Sequence, residues 1–156
     1  MLDNCKDSQE TWQAVETLLQ GWLKERRDVL VKYTAIAATL AATADRETTQ
    51  DILNDGLARL CQLLVDYVSA GHFEVFHALI REAQVFDDGG DKLAEEIIPS
   101  IGDTTEVILG FDEKYPEAGS DGLEADLSLL GEILESRFGM EDQLIAMLHR
   151  RHATPA

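Results

Sequence analysis

The sequence predicts an all-α protein, an antiparallel helical bundle of about five helices, and three observations carry that expectation. Apolar residues recur at alternating steps of three and four along most of the chain, the spacing of a single helix face. No run alternates apolar and polar residues with the β-branched and aromatic enrichment of a strand. Gly, Pro and Asp clusters fall at a few separated places, where they mark connections rather than strands.

The first stripe is Trp12, Val15, Leu19, Trp22, Arg26, Val29, Tyr33, Ile36 and Leu40, one long helix from about residue 9 to about residue 42. Arg26 interrupts an otherwise apolar seam. After a small, polar stretch, Asp45 is placed to cap a second helix with the stripe Leu53, Leu57, Leu60, Leu64 and Tyr67. That helix is expected to end near Ser69-Ala70-Gly71, since glycine suits the left-handed turn past a helix end. A third follows at once, with Phe73, Phe76, Ile80 and Ala83 on one face, and Asp87–Asp91 is a loop. The fourth stripe is Leu93, Ile97, Ile101, Thr104, Ile108 and Phe111, with Pro99 expected to kink or interrupt it. Asp112–Gly122, with Pro116, Gly119 and Ser120, is the longest loop, and the last stripe is Leu123, Leu127, Leu130, Leu134, Phe138, Ile145 and Leu148. With no internal repeat, residues 1–156 read as one domain, frayed over about 1–8 and 151–156.

Composition bounds the function classes. Apolar residues make up 45% of the 156, too many for a disordered chain. Charges break every apolar run short of the roughly 20 residues a membrane-spanning helix needs. The polar, acidic Met1–Asp7 lacks the basic and apolar regions of a secretory signal, so the expected location is the cytoplasm. Cys5 and Cys61 have neither disulfide-framework nor zinc spacing, and Cys61 reads as a reduced thiol buried in the core. Thirteen basic residues against thirty acidic ones give a net charge of −17. Such a chain repels nucleic acid and anionic membrane and attracts a basic partner; a surface selected only for solubility or for high salt has the same composition.

Enzyme chemistry finds little support. The phosphate-cradling GxxxxGK[ST], the GxGxxG fingerprint and the GxSxG elbow are absent. A carboxylate-bridged di-metal bundle needs a Glu-x-x-His motif from each of two helices. The chain has one, Glu74-Val75-Phe76-His77, so no metal or other cofactor is assigned. His149 and His152 sit where imidazoles favour a helix C-terminus.

The densest unusual segment is Leu63–Phe76, which joins two helices and concentrates Asp66, Tyr67, Ser69, His72 and Phe73 in one corner. Aromatic anchors beside hydrogen-bonding groups are the composition of an interface hot spot. The same residues also suit a satisfied helix corner, with Asp66 capping the third helix and Phe73 in the core.

The stretch Val65-Asp66-Tyr67-Val68-Ser69-Ala70-Gly71-His72-Phe73 resembles the signature of the regulator of sigma D family. Gly21–Arg26 and Leu130–Ile145 agree with it in order and spacing, and the resemblance covers roughly residues 8 to 150. It implies an anti-sigma factor: a non-catalytic protein that binds the primary sigma factor through that protein's C-terminal domain, the basic helix-turn-helix that reads the −35 promoter element. Carried over by position, the partner contacts are Asp66, Tyr67, Ser69, His72 and Phe73, with Trp22 and Arg26 facing the same groove. Glu135, Glu141 and Asp142 of the last helix are further contacts or a solvated face, and Arg26 either meets the partner or pairs internally with one of them. The remaining alternatives are a helical module for another basic partner and the di-metal bundle enzyme.

Overall fold

A computed structural model describes residues 2–42, 46–115, 117 and 121–153, the side chains of residues 2–6 and 46–49 excepted. Five α-helices follow one another: α1 (Leu2–Ala41), α2 (Arg46–Ala70), α3 (Phe76–Phe86), α4 (Gly90–Lys114) and α5 (Leu123–Leu148). A π-helical turn, Gly71–Val75, joins α2 to α3, and a 3-10 turn, Arg150–His152, follows α5. Asp45, the expected cap of α2, and Pro116, Gly119 and Ser120 of the longest loop lie outside the described residues.

The break expected at Ser69-Ala70-Gly71 does not exist. Gly71 is not left-handed; α2, the π turn and α3 run on as one rod, so the bundle consists of four rods rather than about five. Gly71 is needed for close packing instead: a Cβ there would lie 3.0 Å from Cζ2 of Trp22 on α1. Left-handed backbone is found at Asp87, Gly89 and Gly122, which close α3 and open α4 and α5. Pro99 does not interrupt α4. Pro99 and Glu95 are both exposed, so the carbonyl deprived of its donor is on the solvent side, within reach of water.

Long-range contacts give the rod directions. Along α1 the pairs Ile36–Gly56 and Trp22–Gly71 run in opposite senses, so α1 and the α2 rod are antiparallel. Lys114–Asp126 and Thr104–Arg137 show the same for α4 and α5. Tyr33 bonds the Leu127 carbonyl (2.7 Å) while Trp12 bonds that of His149 (3.2 Å), so α1 and α5 are also antiparallel.

One apolar cluster fills the bundle, and the stripe Leu53, Leu57, Leu60, Leu64, Tyr67 is buried throughout. Each fully buried leucine contributes about 1.5–3 kcal/mol relative to an exposed one. Gln50–Phe86 is long and apolar enough by composition to cross a membrane, contrary to the sequence expectation. Its buried residues are committed to the bundle core, and such helices are common inside globular proteins.

The α3 face departs from its expected stripe. Phe76 and Ala83 are buried, but Phe73 is 70% exposed, and Val75, Leu79 and Glu82 point inward instead. The extra residue of the π turn rotates the chain ahead of α3, which turns Phe73 out. Cys61 is half-buried rather than buried; its thiol donates to the Tyr115 carbonyl (3.5 Å). Burial, and then the neighbouring Asp112, push its pKa up to about 12. Among the described residues neither carboxylate oxygen of Asp112 has a well-formed hydrogen bond; burial raises its pKa to about 6, and the nearby Cys61 thiol opposes the rise.

Candidate partner-binding site

Trp22 and Arg26 are one turn apart on α1, level with Tyr67 on α2 and with Phe138 and Glu141 on α5. The Trp22 indole stacks on the Tyr67 ring (centroids 4.7 Å apart, planes at 3°), and its Nε1 donates to the Tyr67 carbonyl (3.0 Å). Phe76 and Phe138 close on this pair edge-on, each at 5.9 Å.

Below the rings Glu141, fully buried, collects three donors: the Tyr67 hydroxyl, Arg26 Nη2 (3.1 Å) and Arg137 Nε (2.8 Å). Arg137 is itself fully buried and donates also to Thr105 Oγ1 (2.6 Å), Thr104 Oγ1 (3.2 Å) and the Ile101 carbonyl (3.4 Å) of α4. Burial raises the pKa of Glu141, and Arg137, Tyr67 and Arg26 oppose it. Three donors on one carboxyl group, two of them guanidinium N–H groups, favour its ionised form against that burial. Burial and the Glu141 charge push the Tyr67 phenol well above its ordinary range, so it stays a donor.

Arg26 bridges interior and surface. Its guanidinium contacts the Tyr67 hydroxyl (Nε, 3.1 Å) and Asp142 Oδ1 (Nη1, 2.6 Å), and lies 4.7 Å from the Phe138 ring centroid. Burial lowers its pKa, but Tyr67, Asp142 and Glu141 together leave it raised. The interruption in the α1 seam is therefore an internal pairing with Glu141 and Asp142. Glu135, also considered, is exposed on α5 and is not in this set.

The expected site residues thus divide into two layers. Trp22, Tyr67 and Glu141 are buried, 2% exposed or less. Asp66, His72, Phe73, Glu135 and Asp142 are exposed, and Ser69 is half-buried. Asp66 caps no helix, since the rod offers no helix start there; it accepts from Gln62 Nε2 (3.0 Å). Phe73 is not in the core; it stands on the π turn with the His72 ring against it edge-on (4.8 Å). The surface around it is acidic. The Glu25 carboxyl is raised by burial and then by the negative charges of Asp66, Glu74 and Asp28.

Sequence reasoning missed Arg137, Phe138 as the lid over Arg26, and Glu25. Arg137 and Glu141 are four apart on an apolar α5 face, a signal that a buried pair was present. Glu74 and His77 of the single Glu-x-x-His motif are both exposed, and no three metal-ligating side chains converge among the described residues.

Residues 1–149 match the family described as regulator of the RNA polymerase sigma(70) subunit, Rsd/AlgQ. The regulator of sigma D of Yersinia pseudotuberculosis serotype O:1b is 30% identical over 82% of this chain and 77% of its own length. That of Yersinia enterocolitica is 30% identical over 82% and 78%, and that of Pectobacterium atrosepticum 27% identical over 96% and 99%. No solved structure matches. Over nearly its whole length, then, the chain belongs to the Rsd/AlgQ family of sigma(70) regulators.

Proposed function

We propose that this protein is an anti-sigma factor that binds the C-terminal, −35-reading domain of the primary sigma factor and keeps it from RNA polymerase and promoter DNA. The observation that carries the reading is Phe73, a mostly exposed aromatic ring on a π turn, among the acids Glu25, Asp66 and Glu74. An apolar anchor within a field of one sign suits a basic helix face built to meet phosphate. Asp66, Ser69, His72, Phe73 and Asp142 form the contact surface, with Glu135 further along α5. Trp22, Arg26, Tyr67 and Glu141 hold that surface in place from beneath. The protein acts by occupancy rather than turnover, as one domain, in the cytoplasm where polymerase works. Its net charge of −17 disfavours binding to nucleic acid or anionic membrane.

The test is calorimetry of the purified protein with the isolated sigma C-terminal domain at two salt concentrations. One-to-one binding that weakens with salt is expected. Phe73→Ala and Asp66→Ala should each cost about 2 kcal/mol or more, roughly thirtyfold in Kd, with helical content unchanged. No binding at low salt with both partners folded would overturn the reading in favour of a different basic partner, and full affinity in Phe73→Ala would overturn the Phe73 surface as the place of contact.

A further inference from the structure

A second buried polar network lies where α1, α3 and the end of α5 meet, two to three turns from Glu141 along α5. His149, fully buried, faces Glu82 Oε1 with Nδ1 (2.5 Å) and Glu16 Oε2 with Nε2 (3.1 Å). Glu82, also fully buried, uses its other oxygen for His152 Nδ1 (2.7 Å). His152 Nε2 faces Asp88 Oδ2 (2.5 Å), which Arg151 Nη2 also reaches (2.7 Å). The Trp12 ring stacks on His149 (4.7 Å) and the Phe86 ring on His152 (3.8 Å).

All four imidazole nitrogens therefore face carboxylates. A neutral imidazole has one N–H and one lone pair, and a lone pair aimed at a carboxylate oxygen is repelled. With the carboxyl groups ionised, the arrangement is satisfied only when both rings are imidazolium. It then alternates in sign from Glu16 through His149, Glu82, His152 and Asp88 to Arg151, and both charges on Glu82's flanks offset its burial. Loss of a proton from His149 leaves Glu82 buried with one cation fewer.

We propose that Glu16, His149, Glu82, His152 and Asp88 form a proton-dependent latch, closed while His149 is doubly protonated, that ties the first half of α1 and the C-terminal turn to the end of α3. Opening frees the Trp12–Glu16 turn and the Arg150–Ala153 segment without disturbing the α1–α2 seam. The direction fits the His149 pKa, which burial lowers but Glu82 and Glu16 raise above 6.5 overall.

The test follows histidine ring signals by NMR from about pH 6 to about pH 9, with amide exchange on the full chain corrected for its intrinsic pH dependence. The expected result is a His149 midpoint above 6.5. Across it, protection of Trp12–Glu16 and Arg150–Ala153 should fall about tenfold or more, with Leu57–Leu64 unchanged. Glu82→Gln should abolish the transition; should it fail to fold, Glu16→Gln at the partly exposed end should still lower the midpoint. A midpoint at or below 6.5, protection independent of pH, or a midpoint unmoved by Glu16→Gln would overturn the latch.

Discussion

Two levels of the bundle solve one problem with different chemistry. Midway along α1 a buried carboxylate, Glu141, is shared by two arginines and a phenol. At a level two to three turns further along α5 a buried carboxylate, Glu82, is shared by two histidines. Arginine stays charged at every pH a protein meets, so the cations of the first network are constant across neutral pH. Histidine changes charge near neutrality, so those of the second are conditional. Placing the arginine network beneath the proposed contact surface keeps that surface's geometry apart from the pH that governs the histidine level.

The largest effect should come from breaking the constant network. Glu141→Ala leaves Arg137 buried without its carboxylate and is expected to cost about 3–5 kcal/mol of stability, read from the urea midpoint. The loss should be equal at pH 6 and pH 9; a strong pH dependence would mean that the arginine network is not the constant one. Gly71→Ala tests the packing above it. The new Cβ would press on the Trp22 indole, which is anchored by stacking and a hydrogen bond and cannot retreat. A loss of about 1–3 kcal/mol is expected, with an altered near-ultraviolet tryptophan signal.

Smaller changes sharpen the contrast. Asp112 has a folded pKa of about 6 against an ordinary 3.8, so its ionisation weakens the fold as pH rises through that interval. Asp112→Asn should raise the thermal midpoint at pH 7.5, worth about 1 kcal/mol after allowing for solvent screening, and leave it unchanged at pH 4. Glu16→Gln should have the smallest effect, about 0.5–1 kcal/mol at pH 6 and less at pH 9. The sign follows from His149: a histidine with a raised folded pKa contributes stability that is complete below 6.5 and lost as pH rises through the folded value. Equal effects at both pH values would place the two networks in one class.

Much of the bundle was legible because helical stripes are local. The α2 stripe is buried residue for residue, and the resemblance carried by Val65–Phe73 agrees with the family match. Local rules failed at Gly71. A glycine between two apolar patterns reads as a helix end, and only the Trp22 ring pressed against it shows why glycine is there within a continuous rod. The π turn was equally invisible, and with it the exposure of Phe73, since one inserted residue puts the faces on either side of it out of register. His149 and His152 read as partners of a helix dipole because their carboxylates are far away in sequence, on α1, on α3 and in the following loop.

The sequence by itself determined the all-helical class, the positions of most core residues, the family and the acidic charge, because these depend on residue spacing, composition and a contiguous motif. Only the tertiary structure decided which polar residues are interior and which face solvent. Arg26, Tyr67, Glu141 and Arg137 come from three different helices, and Glu82 meets His149 across 67 positions of chain. A buried charge is tolerable only where packing delivers its counter-charge, and that delivery is a property of the assembled bundle rather than of any one helix.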